Sequence, residues 1–274
     1  MPQTSNGEHL LNDHNDLNYL NDPNDLNLFV KPICFLSGTN KTIQMKIGAI
    51  QKFSLVDYPG KLSAVIGTQG CNMHCFWCHN CYLIPKDTSP SFQPIEEDDV
   101  FRFLNERVNF LDAVVISGGE PTLQDDLLEF CERIKVLGFY VKLDTNGTNP
   151  GMLQELIDNS LLDYVAMDIK TDAEQYAKLG REKIEMDDIL KSINIILSAK
   201  MPYEFRTTCV KPFVCRDHIE DLVTMIRGAK LYYLQKCTQQ KNTNEKYFYQ
   251  VLDDEELTEL KLKAAPYVEM CAIR

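Results

Sequence analysis

The most informative stretch of the chain is LSAVIGTQGCNMHCFWCH, residues 62–79, an apolar run that leads into a loop with three cysteines. Residues 62–68 have the composition of a short buried strand. Cys71, Cys75 and Cys78 follow it with the spacing C-x3-C-x2-C, which supplies three thiolates and no fourth. Structural zinc sites and ferredoxin clusters use four ligands, whereas three thiolates can hold a cubane cluster and leave one iron open. The stretch therefore predicts a strand that ends at a metal site with an open position.

Short β-rich runs alternate with amphipathic patterns from residue 45 onward. We predict strands at 62–68, 112–117, 139–144, 163–169, 203–210 and 230–235. We predict helices at 96–107, 124–137, 151–159, 187–199, 217–227 and 253–264, with Gly138 ending the second and Asp217 capping the fifth. This alternation favours an α/β fold, a partial (β/α)6 TIM-like barrel with parallel strands. In such folds the site forms at the C-terminal ends of the strands.

Residues 1–44 have a different character from the rest of the chain. A nine-residue repeat rich in Asn and Asp occupies residues 11–28. Two copies are too few for a solenoid, and the repeat lacks the Gly and terminal Glu of a calcium loop. We expect a disordered or loosely attached N-terminal extension, without the apolar core of a signal peptide, and a working domain over residues 45–274.

Composition limits the classes of function. The 274 residues carry a net charge of −12, which makes duplex nucleic acid an unsuitable partner. The sequence has no run of 18 apolar residues, so no membrane span is expected. Ten cysteines in a large chain with no signal peptide suggest metal ligands in a reducing, cytoplasmic compartment. Seven cysteines lie outside the triad, and a redox role stays open for Cys81 and Cys215, which fall on predicted loops.

Polar residues follow the second and third predicted strands. The second strand ends in Gly118-Gly119-Glu120-Pro121, where paired glycines let a ligand approach the backbone and Glu120 offers acceptors to an ammonium group. The third ends in Asp144-Thr145-Asn146-Gly147, where Asp144 can pair with an amine. Taken singly, each motif is also an ordinary turn.

The next two strands end in charged residues. Asp168-Ile169-Lys170 closes the fourth strand, and Lys170 can pair with a carboxylate. Arg206 lies within the fifth strand, where a buried guanidinium needs a ligand carboxylate or an internal Asp as its partner. Together, the strand ends offer groups suited to an amino acid with adenosine attached.

The Cys-x3-Cys-x2-Cys loop followed by Gly-Gly-Glu-Pro resembles the radical S-adenosylmethionine (SAM) superfamily. The string from Phe53 through Asp57-Tyr58-Pro59-Gly60, with Thr68-Gln-Gly-Cys71-Asn, resembles one branch. That branch is the activating proteins of anaerobic ribonucleoside-triphosphate reductase, relatives of pyruvate formate-lyase activating enzyme. The resemblance covers about residues 45–274.

The resemblance implies an enzyme that cleaves SAM reductively at a 4Fe–4S cluster, forming a 5′-deoxyadenosyl radical that takes a hydrogen from a glycine of the reductase. Its implied partners are that reductase and a flavodoxin-like or other low-potential electron donor. It implies that Cys71, Cys75 and Cys78 hold the cluster. It further implies contacts with SAM. Trp77 and His79 would lie beside the adenine and the cluster, and Gly119, Glu120 and Asp144 would lie at the methionyl amine. Asp168, Ile169 and Lys170 would lie at the methionyl end, and Arg206 would be a further member of the set.

Three alternatives remain open at this point. The chain could activate a different glycyl radical enzyme, of the pyruvate formate-lyase type, or act on a small molecule by the same chemistry. A zinc-stabilised binding module, with His74 or His79 as the fourth ligand, is the non-enzymatic alternative.

Overall fold

The structure is a computed structural model that describes residues 44–84, 94–181, 183–238 and 249–274. The expected N-terminal extension, including its repeat, lies outside the described residues. The domain boundary placed before Met45 therefore stays a prediction.

One mixed sheet forms the centre of the described chain. Its strands are β1 (Ile47–Ser54), β2 (Ser63–Thr68), β3 (Ala113–Gly118), β4 (Tyr140–Thr145), β5 (Tyr164–Asp168), β6 (Tyr203–Lys211), β7 (Tyr232–Lys236), β8 (Gln250–Val251) and β9 (Cys271–Ile273). Strands β2 to β7 are parallel and neighbour one another in chain order. This sequential parallel order confirms the α/β class and the six strands that the sequence predicts.

Each parallel strand is followed by a helix. The helices are α1 (Glu97–Asn105), α2 (Leu127–Val136), α3 (Pro150–Asp158), α4 (Met186–Ser198), α5 (Ile219–Met225) and α6 (Asp254–Ala264). All six predicted helices are present. Helix α2 begins three residues late because Pro121–Leu123 form a separate 3-10 turn, and His218 rather than Asp217 occupies the N-cap of α5. Gly138 follows α2 with φ of +87°, which suits glycine at a helix end.

Three strands were not predicted from the sequence. Strand β1 pairs with β2 in antiparallel orientation, and the register shifts twice along the pair. Strand β9 extends the sheet beside β7, while the two-residue β8 pairs with β6. Strands β8 and β9 are too short for a periodic signal, and the middle of β1 is exposed, which obscures its alternation.

The two faces of the sheet carry different chemistry. On one face, residues such as Val141, Leu143 and Phe205 are fully buried in the apolar core shared with the helices. Alternate residues point the other way, so Lys142, Asp144 and Arg206 lie on the opposite face, which we call the inner face. No helix in the described ranges is long and apolar enough to cross a membrane.

Candidate active site

A cavity of about 370 Å³ lies at the C-terminal ends of the parallel strands, within the size range of small-molecule sites. It brings together the three cysteines and all but one of the other predicted site residues. The predicted residues on its wall are Cys71, Cys75, Trp77, Cys78, His79, Gly119, Glu120, Asp144, Asp168, Lys170 and Arg206. The sequence motifs at separate strand ends therefore face one space.

The three thiols are half-buried around this cavity. The Met73 backbone N–H donates to Cys71 Sγ at 3.4 Å, and Asn146 Nδ2 lies 3.9 Å from the same sulfur. Burial raises the pKa of Cys71 to about 11 and that of Cys75 to about 12, and it also raises the pKa of Cys78. Because metal binds thiolates, loading the site must release protons from these groups.

The three thiols border one shared space, whose wall also includes His79. Three thiolates can hold a cubane cluster and leave one iron open. The donor set of this wall therefore fits an iron–sulfur cluster.

The glycine pair holds the cysteine loop against the sheet. Gly119 N–H donates to Thr68 O at 2.9 Å, and Glu120 N–H donates to Gly70 O at 2.8 Å. A Cβ on Gly119 would lie 1.9 Å from Gly70 O. The sequence suggested that the glycine pair lets a ligand approach the backbone. At Gly119 that space is occupied by the backbone of Gly70, in the cysteine loop.

A ring of side-chain hydrogen bonds joins the loop to the end of β4. Asn146 Nδ2 donates to Asn72 Oδ1 at 3.0 Å, and Asn72 Nδ2 donates to Thr148 Oγ1 at 2.9 Å. Thr148 Oγ1 closes the ring by donating to Asn146 Oδ1 at 2.7 Å. The loop is therefore fixed by polar contacts before any ligand binds.

Glu120 is buried, and its carboxylate is already engaged by the protein. Oε1 accepts from the Thr122 backbone and hydroxyl and from Thr145 Oγ1, while Oε2 accepts from Asn146 N–H at 2.7 Å. Burial raises the pKa of Glu120, and these donors oppose that effect. Only Oε2 keeps lone-pair capacity for a ligand amine.

Five charged side chains form a continuous row on the inner face. Lys170 Nζ lies 2.8 Å from Asp168 Oδ2, and Arg206 Nε lies 2.8 Å from Asp168 Oδ1. Arg206 Nη1 lies 3.2 Å from Asp144 Oδ2, and Lys142 Nζ lies 2.7 Å from Asp144 Oδ1. The row holds three cations and two carboxylates, and Oε1 of the buried Glu204 lies a further 3.9 Å from Arg206 Nη1.

The pKa shifts along the row favour the charged forms. Burial alone would raise the pKa of Asp144 and Asp168, but Arg206 and the adjacent lysines hold both below their usual range. Burial alone would lower the pKa of Lys170, but Asp168 raises it above its usual range. Asp144, Asp168 and Lys170 therefore stay ionised around neutral pH.

Trp77, His79 and Ile169 have different positions relative to the cavity. Trp77 is buried and packs on Phe213, with ring centroids 5.0 Å apart, while His79 is exposed at the wall. Ile169 does not line the cavity, and its expected place at the methionyl end of SAM stays a prediction. Its side chain is buried in the apolar core, because residues on the same strand alternate between faces.

Several wall residues were missed by the sequence reasoning, among them Asp57, Ser117, Asn146, Thr208 and Gln235. Thr208 and Gln235 sit near the ends of predicted strands, so the strand-end rule could have found them. Asn146 was read only as part of a turn. The strand-end rule could not have found Asp57, because the strand that precedes it, β1, was not predicted.

The fold and the site together place three thiols and a charged wall at the C-terminal end of a parallel strand–helix array. The sequence matches the Radical SAM superfamily over residues 65–226, and the chain belongs to that superfamily. Membership implies a 4Fe–4S cluster and SAM as cofactors, and the convergent thiols and charged wall fit them.

Two curated relatives point to one kind of activity. A protein of Methanocaldococcus jannaschii named "Putative glycyl-radical enzyme activating enzyme" is 36% identical over 235 residues, covering 83% of this chain and 95% of that protein. The pyruvate formate-lyase-activating enzyme of Clostridium pasteurianum is 30% identical over 160 residues, covering 55% of this chain and 64% of its own length.

A solved structure supports the fold. A radical SAM methyltransferase from Sphaerobacter thermophilus has a TM-score of 0.60 at 14% identity, covering 79% of this chain and 67% of its own. At this identity the likeness concerns the fold alone.

Proposed function

We propose that this chain activates a glycyl radical enzyme, and that its partner is an anaerobic ribonucleoside-triphosphate reductase. The observation that carries the proposal is the single cavity that joins three thiols to a row of ionised side chains. The names of the relatives support an activase, and the Asp57-Tyr58-Pro59-Gly60 string supports the reductase type.

Cys71, Cys75 and Cys78 would hold the cluster through their thiolates. When bound, the cluster and SAM would supply the reductive radical chemistry that forms a glycyl radical on the partner. The protein's share is to bind, orient and exclude water. Buried Trp77, packed on Phe213, would keep solvent from one side of the thiols.

The charged row would orient the methionyl end of SAM. Lys170, whose charge acts on the thiols of Cys71, Cys75 and Cys78, would pair with the methionyl carboxylate. Asp144 and the free lone pair of Glu120 Oε2 would accept from the methionyl amine. Since Asp144 and Asp168 are ionised and held by Arg206, these groups need little rearrangement when the ligand binds.

The cavity also reaches the segment that connects β1 and β2. Asp57 of this segment lies on the cavity wall, and its backbone oxygen accepts from Lys142 Nζ at 2.6 Å. A peptide loop that carries the target glycine would enter beside this segment. Phe53, Leu55 and Val56 next to it are exposed and offer apolar contact to a protein partner.

The test begins with anaerobic reconstitution with iron and sulfide, followed by reduction, SAM, and either the reductase or pyruvate formate-lyase. We expect about four irons per chain, release of 5′-deoxyadenosine, and a glycyl radical in the electron paramagnetic resonance spectrum of the reductase only. Cys71→Ala, Cys75→Ala and Cys78→Ala should each abolish cluster binding. Cys81→Ala is the matched control, since this exposed thiol lies three residues beyond the triad.

The alternatives give different results. A radical on pyruvate formate-lyase instead would reassign the partner and keep the activase. Cleavage of SAM with no protein radical would favour a small-molecule substrate. One zinc per chain and no cleavage would overturn the catalytic proposal in favour of a binding module.

A further inference from the structure

Asn146 places a side-chain hydrogen-bond donor beside one of the three thiols. Its Nδ2 atom donates to Cys71 Sγ at 3.9 Å, and the residue is only 5% exposed. The Met73 backbone N–H donates to the same sulfur at 3.4 Å. Cys71 Sγ therefore has one donor from the main chain and one from a side chain, and the proposed function gives the side-chain donor no role.

The hydrogen bonds around Asn146 decide which end of its amide faces the sulfur. The Thr148 backbone N–H, which can only donate, lies 3.0 Å from Asn146 Oδ1, so this atom is the amide oxygen. The opposite atom, Nδ2, has two hydrogens, one for Asn72 Oδ1 at 3.0 Å and one for Cys71 Sγ. The Thr148 hydroxyl and the Asn72 amide complete the same ring with consistent donors and acceptors.

The backbone of Asn146 is fixed as well as its side chain. Its N–H donates to Glu120 Oε2 at 2.7 Å, and the N–H of the next residue, Gly147, donates to Thr145 Oγ1 at 3.1 Å. The amide can turn away from Cys71 only if several of these hydrogen bonds break. The donor is therefore oriented toward the sulfur before any ligand binds.

We propose that Asn146 tunes the reduction potential of the cluster through a hydrogen bond to the Cys71 thiolate. The proposal rests on the proposed function only in placing a cluster on the three thiols. One-electron reduction adds negative charge that the thiolates share, and a donor to one of them stabilises the reduced state more than the oxidised state. The electron comes from the external low-potential donor, and no proton moves. Asn146 thus acts through Cys71, as a positioning residue that makes reduction easier.

The first test compares midpoint potentials of the reconstituted full-length protein without SAM. Dithionite and redox mediators set the potential, and electron paramagnetic resonance follows the reduced cluster. Asn146→Leu replaces the amide by an apolar group of similar size and removes the donor. We expect the equilibrium constant for reduction to fall about five- to tenfold, which is a midpoint lower by roughly 40–60 mV at 59 mV per tenfold for one electron.

Thr148→Val is the matched control. It removes a hydroxyl from the same ring but keeps the backbone N–H that orients Asn146, so the donor to Cys71 remains. We expect this variant to change the equilibrium constant for reduction by less than about twofold. An equal decrease in both variants would assign the effect to the ring as a whole and overturn the role of the Asn146 donor.

The second test does not depend on a folded variant. Pulsed electron paramagnetic resonance of the reduced parent protein, labelled with ¹⁵N at the side-chain amides of asparagine, should detect a weak coupling between the cluster and one nitrogen. The coupling should be lost in Asn146→Leu and kept in Thr148→Val. A labelled parent protein without this coupling overturns the proposal.

The remaining outcomes separate this proposal from the proposed function. An unchanged midpoint potential in folded, iron-loaded Asn146→Leu overturns the hydrogen bond to the cluster ligand. Weaker SAM binding at an unchanged potential does the same, because it makes Asn146 a contact to SAM instead. A parent protein that binds no cluster overturns the proposed function together with this proposal, whereas the other outcomes overturn this proposal alone.

Discussion

Lys142 offers the sharpest test of the charged row. Its side chain is 1% exposed in β4, and Nζ donates to Asp57 O at 2.6 Å and to Asp144 Oδ1 at 2.7 Å. Lys142→Met keeps most of the volume of the aliphatic stem but removes both contacts. The substitution leaves the partly buried carbonyl of Asp57 without this donor, and it leaves the carboxylate of Asp144 with one cation fewer.

The magnitude follows from these two losses. Removing one partner of a buried ion pair costs roughly 3–5 kcal/mol, because the remaining charge is uncompensated. Here Arg206 still neutralises Asp144 at 3.2 Å, so we expect the lower end, a loss of about 3 kcal/mol in the free energy of unfolding. For a domain of this size, that corresponds to a melting temperature lower by roughly 6–12 °C.

The assay is urea unfolding followed by circular dichroism, under anaerobic reducing conditions and at equal iron content. Lys200→Met is the control, since this exposed lysine follows α4 and a surface change should stay within about 0.5 kcal/mol. A loss below about 1 kcal/mol for Lys142→Met would refute the buried pairing, because a solvated ammonium costs little to remove. The variant should also bind SAM more weakly, since Asp144 loses a group that orients it.

Two further predictions concern backbone fit and a buried carboxyl group. Gly119→Ala should prevent proper folding of the cysteine loop, since the new Cβ would lie 1.9 Å from Gly70 O. Gly151→Ala, in α3, should instead stabilise the protein by about 0.5–1 kcal/mol. Thermal melting of both variants checks these two expectations. Burial raises the pKa of Asp126 to about 6, so protonation favours the folded state and its contribution is lost as pH rises from about 4 through 6. Asp126→Asn should remove that slope from the pH dependence of unfolding, while Asp125→Asn, at the exposed neighbouring position, should keep it; an unchanged slope in Asp126→Asn would contradict the assignment.

The sequence predicts the parallel core well because its signals are local. Alternating apolar runs and helical stripes depend only on neighbouring residues, so all six predicted strands and helices are present within a few residues of their predicted bounds. Strands β1, β8 and β9 depend on contacts with distant strands. Their pairing is decided by tertiary structure, which short runs of residues do not encode.

The site was predictable to the extent that strand ends converge. That rule placed Cys71, Glu120, Asp144, Lys170 and their neighbours near one another, and the cavity brings them together. It could not reveal that the glycine pair accommodates the protein's own Gly70, because that contact joins distant segments. Strand-end position also does not say which face a side chain occupies, and the side chain of Ile169 lies in the apolar core.

The charged row is foreshadowed in the sequence by two pairs of opposite charges, each with members two residues apart. Lys142 and Asp144 are two residues apart on β4, and Asp168 and Lys170 have the same spacing at the end of β5, so each pair shares a face. Both pairs alternate with fully buried Leu143 and Ile169. Opposite charges at i and i+2 in an otherwise apolar strand therefore indicate an inner face that is polar, not a surface.

Register completes the row. Asp168 pairs directly with Arg206 across β5 and β6, and Arg206 also reaches Asp144 on β4, one strand beyond β5. Since ionised groups are costly to bury, this face is tolerable only because each charge has a close partner of opposite sign. The cations Lys142, Lys170 and Arg206 each have such a partner, so the row is held in place by its own ion pairs. The same neutralisation that allows the strands to fold thus also prepares the cavity for its ligand.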